Sequence, residues 1–384
     1  MDFDVIIVGG GLAGLSLAVA LRTARLRVAL VEGHAPQRIE GWDARIYAVS
    51  PANRRFLDAI GAWRHLDPSR IAPIDAMEIS GDRGGRLDFS AAASGVEALA
   101  WILESSLMQR ELTESAKRQA NLTLLCPAKP SALAIDERSA RLTLDGGRSI
   151  SGKLVVAADG ADSWTRAAAG IDVRFRPYHQ DGVVANFECE RAPSGVACQW
   201  FRHDGVLAYL PLPGKLMSIV WATAPGHAAR LLALPESEFC ARVADAGARR
   251  WGGLRLVTPP AAFPLRLMRA PRTVAPRLAL IGDAAHTIHP LSGHGINLGF
   301  QDARVLAEVL AACPEHIDCG DERWLRRYER SRKEEVLALQ SVTDGLQKLF
   351  GARGTPLSLL RNFGLDLTNR LPFVRDALAR YAMG

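Results

Sequence analysis

The 384-residue chain contains no unbroken apolar run of the roughly 18 residues that a membrane-spanning helix needs. No basic segment, apolar stretch and small-residue cleavage site precede its first strand-like run, so a secreted protein is not expected. Cysteine is scarce: Cys126, Cys189, Cys198, Cys240, Cys313 and Cys319 form no C-x-x-C pair and no metal-like spacing. They read as buried, reduced thiols in a cytoplasmic protein, and no metal is expected. No Ser-His-Asp arrangement, paired-carboxylate constellation, internal repeat or low-complexity segment stands out. Blocks of one charge are also missing. Lys and Arg number 47 against 41 Asp and Glu, a net +6. So diffuse an excess suits an anionic cofactor, NAD(P)H or an acidic membrane surface, but not nucleic acid.

What remains is ordinary globular composition, 48% hydrophobic and 23% charged, in a length that allows one large core or two fused domains. The apolar run Val5-Ile6-Ile7-Val8 leads into Gly9-Gly10-Gly11-Leu12-Ala13-Gly14, then a helical stretch to about Ala24 and a second strand from Val28 to Glu32. Gly9, Gly11 and Gly14 occupy the G-x-G-x-x-G positions of a strand–turn–helix that binds a dinucleotide. The glycines permit a tight turn, close approach of a pyrophosphate and close helix packing, and Glu32 can accept from a ribose. Glu32 argues against a 2′-phosphate and leaves FAD and NAD both open.

Two later segments repeat the idea of an apolar strand ending in an acid and a glycine. Leu154 to Ala158 runs into Asp159-Gly160, with Arg166 one to two helical turns on. Leu278 to Ile281 runs into Gly282-Asp283, whose carboxylate could accept from a ribose or ribityl hydroxyl. Beyond it, Pro290-Leu291-Ser292-Gly293-His294-Gly295-Ile296-Asn297 leads into a helical pattern from Ile296 to about Leu310. Glycines there let backbone N–H groups approach a flat ring or a phosphate, with a helix N-terminus behind them. By contrast Asp145-Gly146-Gly147 reads as a plain hairpin turn between Leu142–Leu144 and Ser149–Ser151.

The order of these segments resembles the single-component FAD-dependent aromatic hydroxylases. Within them the chain is similar to the UbiH, UbiF and Coq6 group of ubiquinone-biosynthesis hydroxylases. The resemblance extends through Asp43-Ala44-Arg45-Ile46-Tyr47-Ala48-Val49-Ser50, Tyr178-His179-Gln180, Gln199-Trp200-Phe201, Leu207 to Leu212 and the closing Ala382-Met383-Gly384. It implies that Gly9, Gly11, Leu12, Ala13, Gly14 and Glu32 bind the ADP half of FAD. Arg45 would face the pyrophosphate or flavin side, Asp159 and Arg166 would serve FAD and visiting NAD(P)H, and Gly282 and Asp283 would hold the ribityl chain. Pro290, Gly293, Gly295, Ile296 and Asn297 would lie beside the isoalloxazine, so Pro290, Gly293, His294 and Gly295 mark the reacting edge. With one G-x-G-x-x-G present, NAD(P)H is expected to visit a cleft rather than own a second domain.

The chain departs from the family pattern at two places. His294 stands where glutamine is common, which puts an imidazole near the flavin; simple replacement of an amide is the plainer reading, and an acid–base role the sharper one. In Leu103-Glu104-Ser105-Ser106, serines follow the glutamate where asparagine and arginine are frequent.

The expected fold is α/β, α+β overall: a Rossmann-like FAD-binding domain from 1–72, 101–170 and 274–312, and an inserted, mostly antiparallel β-sheet substrate domain from 73–100 and 171–273. Strand-like runs at Val183–Glu188, Val206–Leu210 and Leu216–Trp221 support that sheet. A C-terminal helical region would fill 313–384. Within it, Glu322 to Gln340 mixes charges of both signs and reads as a solvated, salt-bridged face. From Pro356 to Arg380, apolar residues such as Leu357, Leu360 and Phe363 recur at near-helical spacing beside Arg361, Arg370, Arg375 and Arg380. Packing on the protein's own body is the plain reading of that tail, and contact with a membrane surface or partner the alternative.

The activity so implied is hydroxylation of an aromatic ring, a small phenol or one bearing a polyprenyl tail, by NAD(P)H and O₂ on FAD. Possible partners are the inner membrane face and a quinone-biosynthesis complex. Two alternatives share the motifs: a flavin-dependent reductase or dehydrogenase of the same superfamily, and a non-catalytic FAD-stabilised subunit.

Overall fold

The computed structural model describes residues 1–36, 39–289 and 295–351. Its first layer is a sheet in which Leu278–Leu280, Ser149–Ala157, Phe3–Val8, Val28–Val31 and Leu122–Leu125 run parallel in that order. Such strands are buried on both faces, which is why their sequences are nearly continuous apolar runs. Alternate residues serve two cores: Val5, Ile7, Leu154 and Val156 pack on one side, Ile6, Val8, Val155 and Ala157 on the other. Antiparallel to Ser149–Ala157 lies Ala140–Leu144, pairing Leu142 with Ile150, so the Asp145-Gly146-Gly147 hairpin forms as expected.

Eight α-helices are described: α1 (Leu12–Ala20), α2 (Pro51–Ala59), α3 (Ser105–Lys117), α4 (Trp164–Ala168), α5 (Pro225–Leu232), α6 (Glu236–Ala246), α7 (Gly295–Ala311) and α8 (Glu322–Gly351). The first helix is shorter than its sequence suggests, giving way to a 3₁₀ turn at Leu21–Thr23.

A second sheet, mostly antiparallel, runs in the order His286–Thr287, Ala261–Arg269, Arg176–Cys189, Leu216–Thr223, Gly205–Pro211, Val196–Arg202, Ala76–Ser80 and Arg86–Ser90. It contains all three strand-like runs read from the sequence, each inside a longer strand. Odd-numbered residues of Arg176–Cys189, among them Val183, Ala185 and Phe187, pack with Trp221, Ile219 and Met217 beneath α5 and α6. The even-numbered side faces the other way. A small antiparallel sheet of Ile46–Val49, Trp101–Glu104 and Ala72–Pro73 joins the layers: Ile102, Ala72 and Ile74 pack with Ala197 and Leu212 of the second sheet's inner side.

Four of the six cysteines are buried, while Cys126 and Cys313 are partly exposed; all are free thiols. Burial pushes Cys189, Cys198 and Cys319 up to about 12, which makes them inert. No helix among the described residues is long and apolar enough to cross a membrane.

Candidate active site

The three glycine–acid motifs meet because each one ends a parallel strand. Val8, Ala157 and Leu280 are register partners or near neighbours across Phe3–Val8, Ser149–Ala157 and Leu278–Leu280, so Gly9, Asp159 and Asp283 leave the same edge of the sheet. Val31, paired with Val8, adds Glu32. The carboxyl edge of such a sheet is where nucleotides bind.

Two glycines are fixed by packing and one is open. Gly9 has φ +110, and a Cβ there would lie 2.4 Å from the Ala158 carbonyl oxygen; a Cβ on Gly14 would lie 2.0 Å from the Gly9 oxygen. At Gly11 a Cβ would meet nothing within 4 Å. Gly11 also begins α1 without a side-chain cap, so the first N–H groups of the helix face open space. Such a turn, with uncapped N–H groups and no side chain in the way, is suited to an anionic group such as a pyrophosphate. Glu32 is already engaged, accepting from Gly10 N at 2.6 Å and His34 N at 2.9 Å, and so it also shapes the turn. Each carboxylate oxygen keeps a further lone pair for a ribose. Gln109 of α3, which no motif marked, donates to the Gly10 carbonyl at 2.9 Å.

Asp283 lies in a 3₁₀ turn, Gly282–Ala284. Solvent reaches its carboxylate, yet protein crowds it closely enough that burial raises its pKa, against the pull of His286 and Arg45. Tyr47 lies close enough to feel the same charges: burial raises its phenol, Arg45 opposes the shift, and Asp283 and Asp43 add to it. Its sequence motif had been recognised, but nothing in the pattern assigned the ring a role.

Several of the expected site residues also support the structure around them. Asp159 accepts from Ser163 Oγ, Thr165 N and Thr165 Oγ1 and so shapes the start of α4. Arg166 is buried, donating to the Ala284 carbonyl at 2.9 Å and the Ala161 carbonyl at 2.9 Å, and thereby holds the Asp283 turn from behind. Asn297 accepts from Ser50 N at 2.9 Å and donates to Ala48 O at 2.8 Å, tying the start of α7 to the Arg45-bearing strand. Ala13 is the spacer between loops: a Cβ on Gly282 would lie 3.2 Å from its methyl, and one on Gly299 3.4 Å. Leu12 is buried in the core, while Gly295 and Ile296 open α7 partly exposed. Pro290, Gly293 and His294 lie outside the described residues.

Arg45 itself is exposed and its strand is pinned from both sides. Glu104, buried, accepts from Asp43 N at 2.6 Å and from Arg70 Nε at 2.6 Å; Asp43 in turn accepts from Ser106 N at 3.0 Å. At the unusual Ser105-Ser106 pair, backbone N–H groups therefore make the contacts that hold Arg45 in place: Ser105 N also donates to the Arg45 carbonyl at 2.9 Å.

Behind Gly282 sits a buried charge cluster. Asp302 of α7 accepts from Gly282 N at 2.9 Å, His286 Nε2 at 2.7 Å and Arg332 Nε at 2.7 Å. Burial opposes the charge on Asp302, but His286 and Arg332 outweigh it and hold the carboxyl below its ordinary value. Arg332, expected on a solvated face of α8, is instead buried in line with Leu325, Tyr328, Val336 and Leu339. The signal was available: in both helices a charged residue falls on the apolar stripe, where an uncompensated charge would not survive.

Known proteins place this geometry. A family model described as an FAD binding domain matches residues 2–342. Ubiquinone hydroxylase UbiL of Rhodospirillum rubrum is 35% identical over 99% of this chain and 89% of its own length. The 3-demethoxyubiquinol 3-hydroxylase of Escherichia coli is 33% identical over 99% of this chain and 98% of its own. Among solved structures, PqsL of Pseudomonas aeruginosa shares the fold, with a TM-score of 0.80 at 24% identity over 94% of this chain and 99% of that one. With the family model matching residues 2–342 and these relatives more than 30% identical over nearly the whole length, the chain belongs to the FAD-binding family, among the flavoprotein monooxygenases that include the ubiquinone-biosynthesis hydroxylases.

Proposed function

We propose that the protein hydroxylates a polyprenylated phenol in ubiquinone biosynthesis, using NAD(P)H and O₂. The observation that carries the substrate class is the inner face of the second sheet. Its outer face is packed under α5 and α6, but Val184, Val206, Ala208 and Val220 on the inner face are only half-buried, and Phe263 is 44% exposed. This apolar strip lies between the contact with the Arg45-bearing small sheet and the contact of Tyr178 with His289, whose rings meet edge-on at 4.7 Å. A half-buried apolar face of this kind suits a ring with a hydrocarbon tail.

Bound FAD supplies the redox chemistry, passing electrons from NAD(P)H to O₂ so that one oxygen atom enters the ring and the other leaves as water. In this reading Gly9, Gly11, Gly14 and Glu32 hold the ADP half, Asp283 the ribityl chain, and Arg45 and Tyr47 the flavin side of the cleft. The segments 73–100 and 171–273 form the substrate unit, whose apolar roof excludes water from the reacting ring. Contact with the membrane through 356–380, outside the described residues, would deliver a lipid substrate.

The test is ¹⁸O₂ incorporation into a short-chain 2-prenylphenol by purified enzyme with NADPH, together with quinone-intermediate profiling in a deletion strain. Label in the product and accumulation of an under-hydroxylated intermediate are expected. Substrate-dependent NADPH oxidation without label would make the protein a reductase; no flavin after reconstitution with FAD would remove the reading altogether.

A further inference from the structure

One row on the inner face of the second sheet is aliphatic with a single interruption. Strand register places Leu87, Ile79, Gln199, Ala208, Val220, Val184 and Ala261 in one row across seven strands. Gln199 is its single polar member. Only 6% of the residue is exposed and its amide forms no hydrogen bond among the described residues, yet its amide atoms are not among those fully shut off from solvent. An amide in an aliphatic row that is unpaired within the protein but not sealed off can meet a polar group brought from outside. In the neighbouring row Asn186 and Ser218 stand directly opposite each other, and there Asn186 Oδ1 and Ser218 Oγ are fully buried and unpaired. Asn186 nonetheless has a structural task, since its Nδ2 donates to the Asp43 carbonyl at 2.8 Å. Gln199 has none.

We infer that Gln199 is the substrate-orienting residue of the chamber, its amide hydrogen-bonding an oxygen on the aromatic ring while the surrounding aliphatic row accepts the tail. This rests on the hydroxylase reading above. The chemistry is that of an apolar site with few polar groups: the hydrocarbon supplies affinity without direction, and one fixed amide, able to donate and to accept, selects which edge of the ring is presented. An analogue lacking the oxygen leaves that amide unpaired, so discrimination falls on this contact.

The holoenzyme is titrated with 2-hexylphenol and with hexylbenzene, following calorimetry and the absorbance of bound FAD, for the wild type, Gln199→Met and Gln199→Leu. Methionine keeps the shape of glutamine and removes the amide. The wild type is expected to prefer the phenol by about 10-fold or more; both variants should bind the two probes alike, with hexylbenzene affinity and thermal midpoint no lower than in the wild type. Persistence of the phenol preference in the variants overturns the inference, as does an equal loss of both probes, which would make Gln199 structural. A wild type that binds neither probe defeats the hydroxylase reading as well, and the labelling experiment separates that outcome from failure at Gln199 alone.

Discussion

At the scale of single residues, the glycine turn separates packing from binding. Gly14 and Gly11 belong to one motif, yet a methyl group at Gly14 collides with backbone while one at Gly11 enters empty space. Gly14→Ala should therefore damage the apoprotein and cofactor binding together. Gly11→Ala should leave the apoprotein melting within about 3 °C of wild type and still weaken FAD binding about 10-fold or more, read by flavin fluorescence quenching. Asp283 offers a second test. Its carboxyl is raised from 3.8 by burial, so the folded apoprotein holds the proton more tightly than the unfolded chain. Its stabilising effect is complete below the ordinary carboxylate pKa and is lost as pH rises through the raised value. Asp283→Asn should make the apoprotein more stable at pH 7, with the gain shrinking toward pH 3.5 in urea titrations, while FAD affinity falls. Stability and function oppose each other at this side chain, as they do where a charge is held for a ligand.

At the scale of elements, α8 is a brace rather than a solvated appendage. Tyr328 Oη donates to the Leu280 carbonyl at 2.8 Å, Arg332 reaches Asp302, and Gln340 Nε2 donates to Met268 O at 3.0 Å and Thr287 O at 3.1 Å. Asp344 pairs with Arg176 at the start of a roof strand. One helix thus ties the Asp283 turn to the second sheet. Asp302→Asn leaves buried Arg332 with only its more exposed partner Glu335 and should cost about 3 kcal/mol or more of stability, whereas Arg326→Ala, breaking an exposed pair with Glu322, should change it by less than about 0.5 kcal/mol. Chemical unfolding monitored by tryptophan fluorescence distinguishes the two. Comparable losses would show that the buried cluster is not what anchors the brace.

At the scale of the molecule, legibility followed the range of the physics involved. Strand–turn–helix motifs are local, and Gly9 to Gly14, Asp159-Gly160 and Gly282-Asp283 could each be read where they stand. Their convergence on one sheet edge follows from parallel order, which the motif sequence implied. Asp159, Arg166 and Asn297 stand in the motifs of the cofactor site, and their side chains also bind backbone more than a hundred residues away or shape the turn itself, which no local pattern records. Gln199 was likewise visible only as part of a motif. Its isolation emerges when strands far apart in sequence are laid in register. The segment 356–380 retains its sequence-level prediction: full-length protein should float with anionic liposomes and a version ending near Gly354 should not, the shared loss or absence of flotation in both ruling the tail out as an anchor.

The alternation of the second sheet has a further consequence for how such an enzyme can change. Val183, Ala185 and Phe187 carry the fold on one side, and Val184 with its row stands half-buried on the other. Substitutions on that inner side leave the core untouched, because adjacent positions in the same strand answer to different demands. On the function proposed above, it is the surface on which substrate preference can drift while the cofactor machinery stays fixed, so that a lineage could acquire a new aromatic substrate through a handful of even-numbered positions.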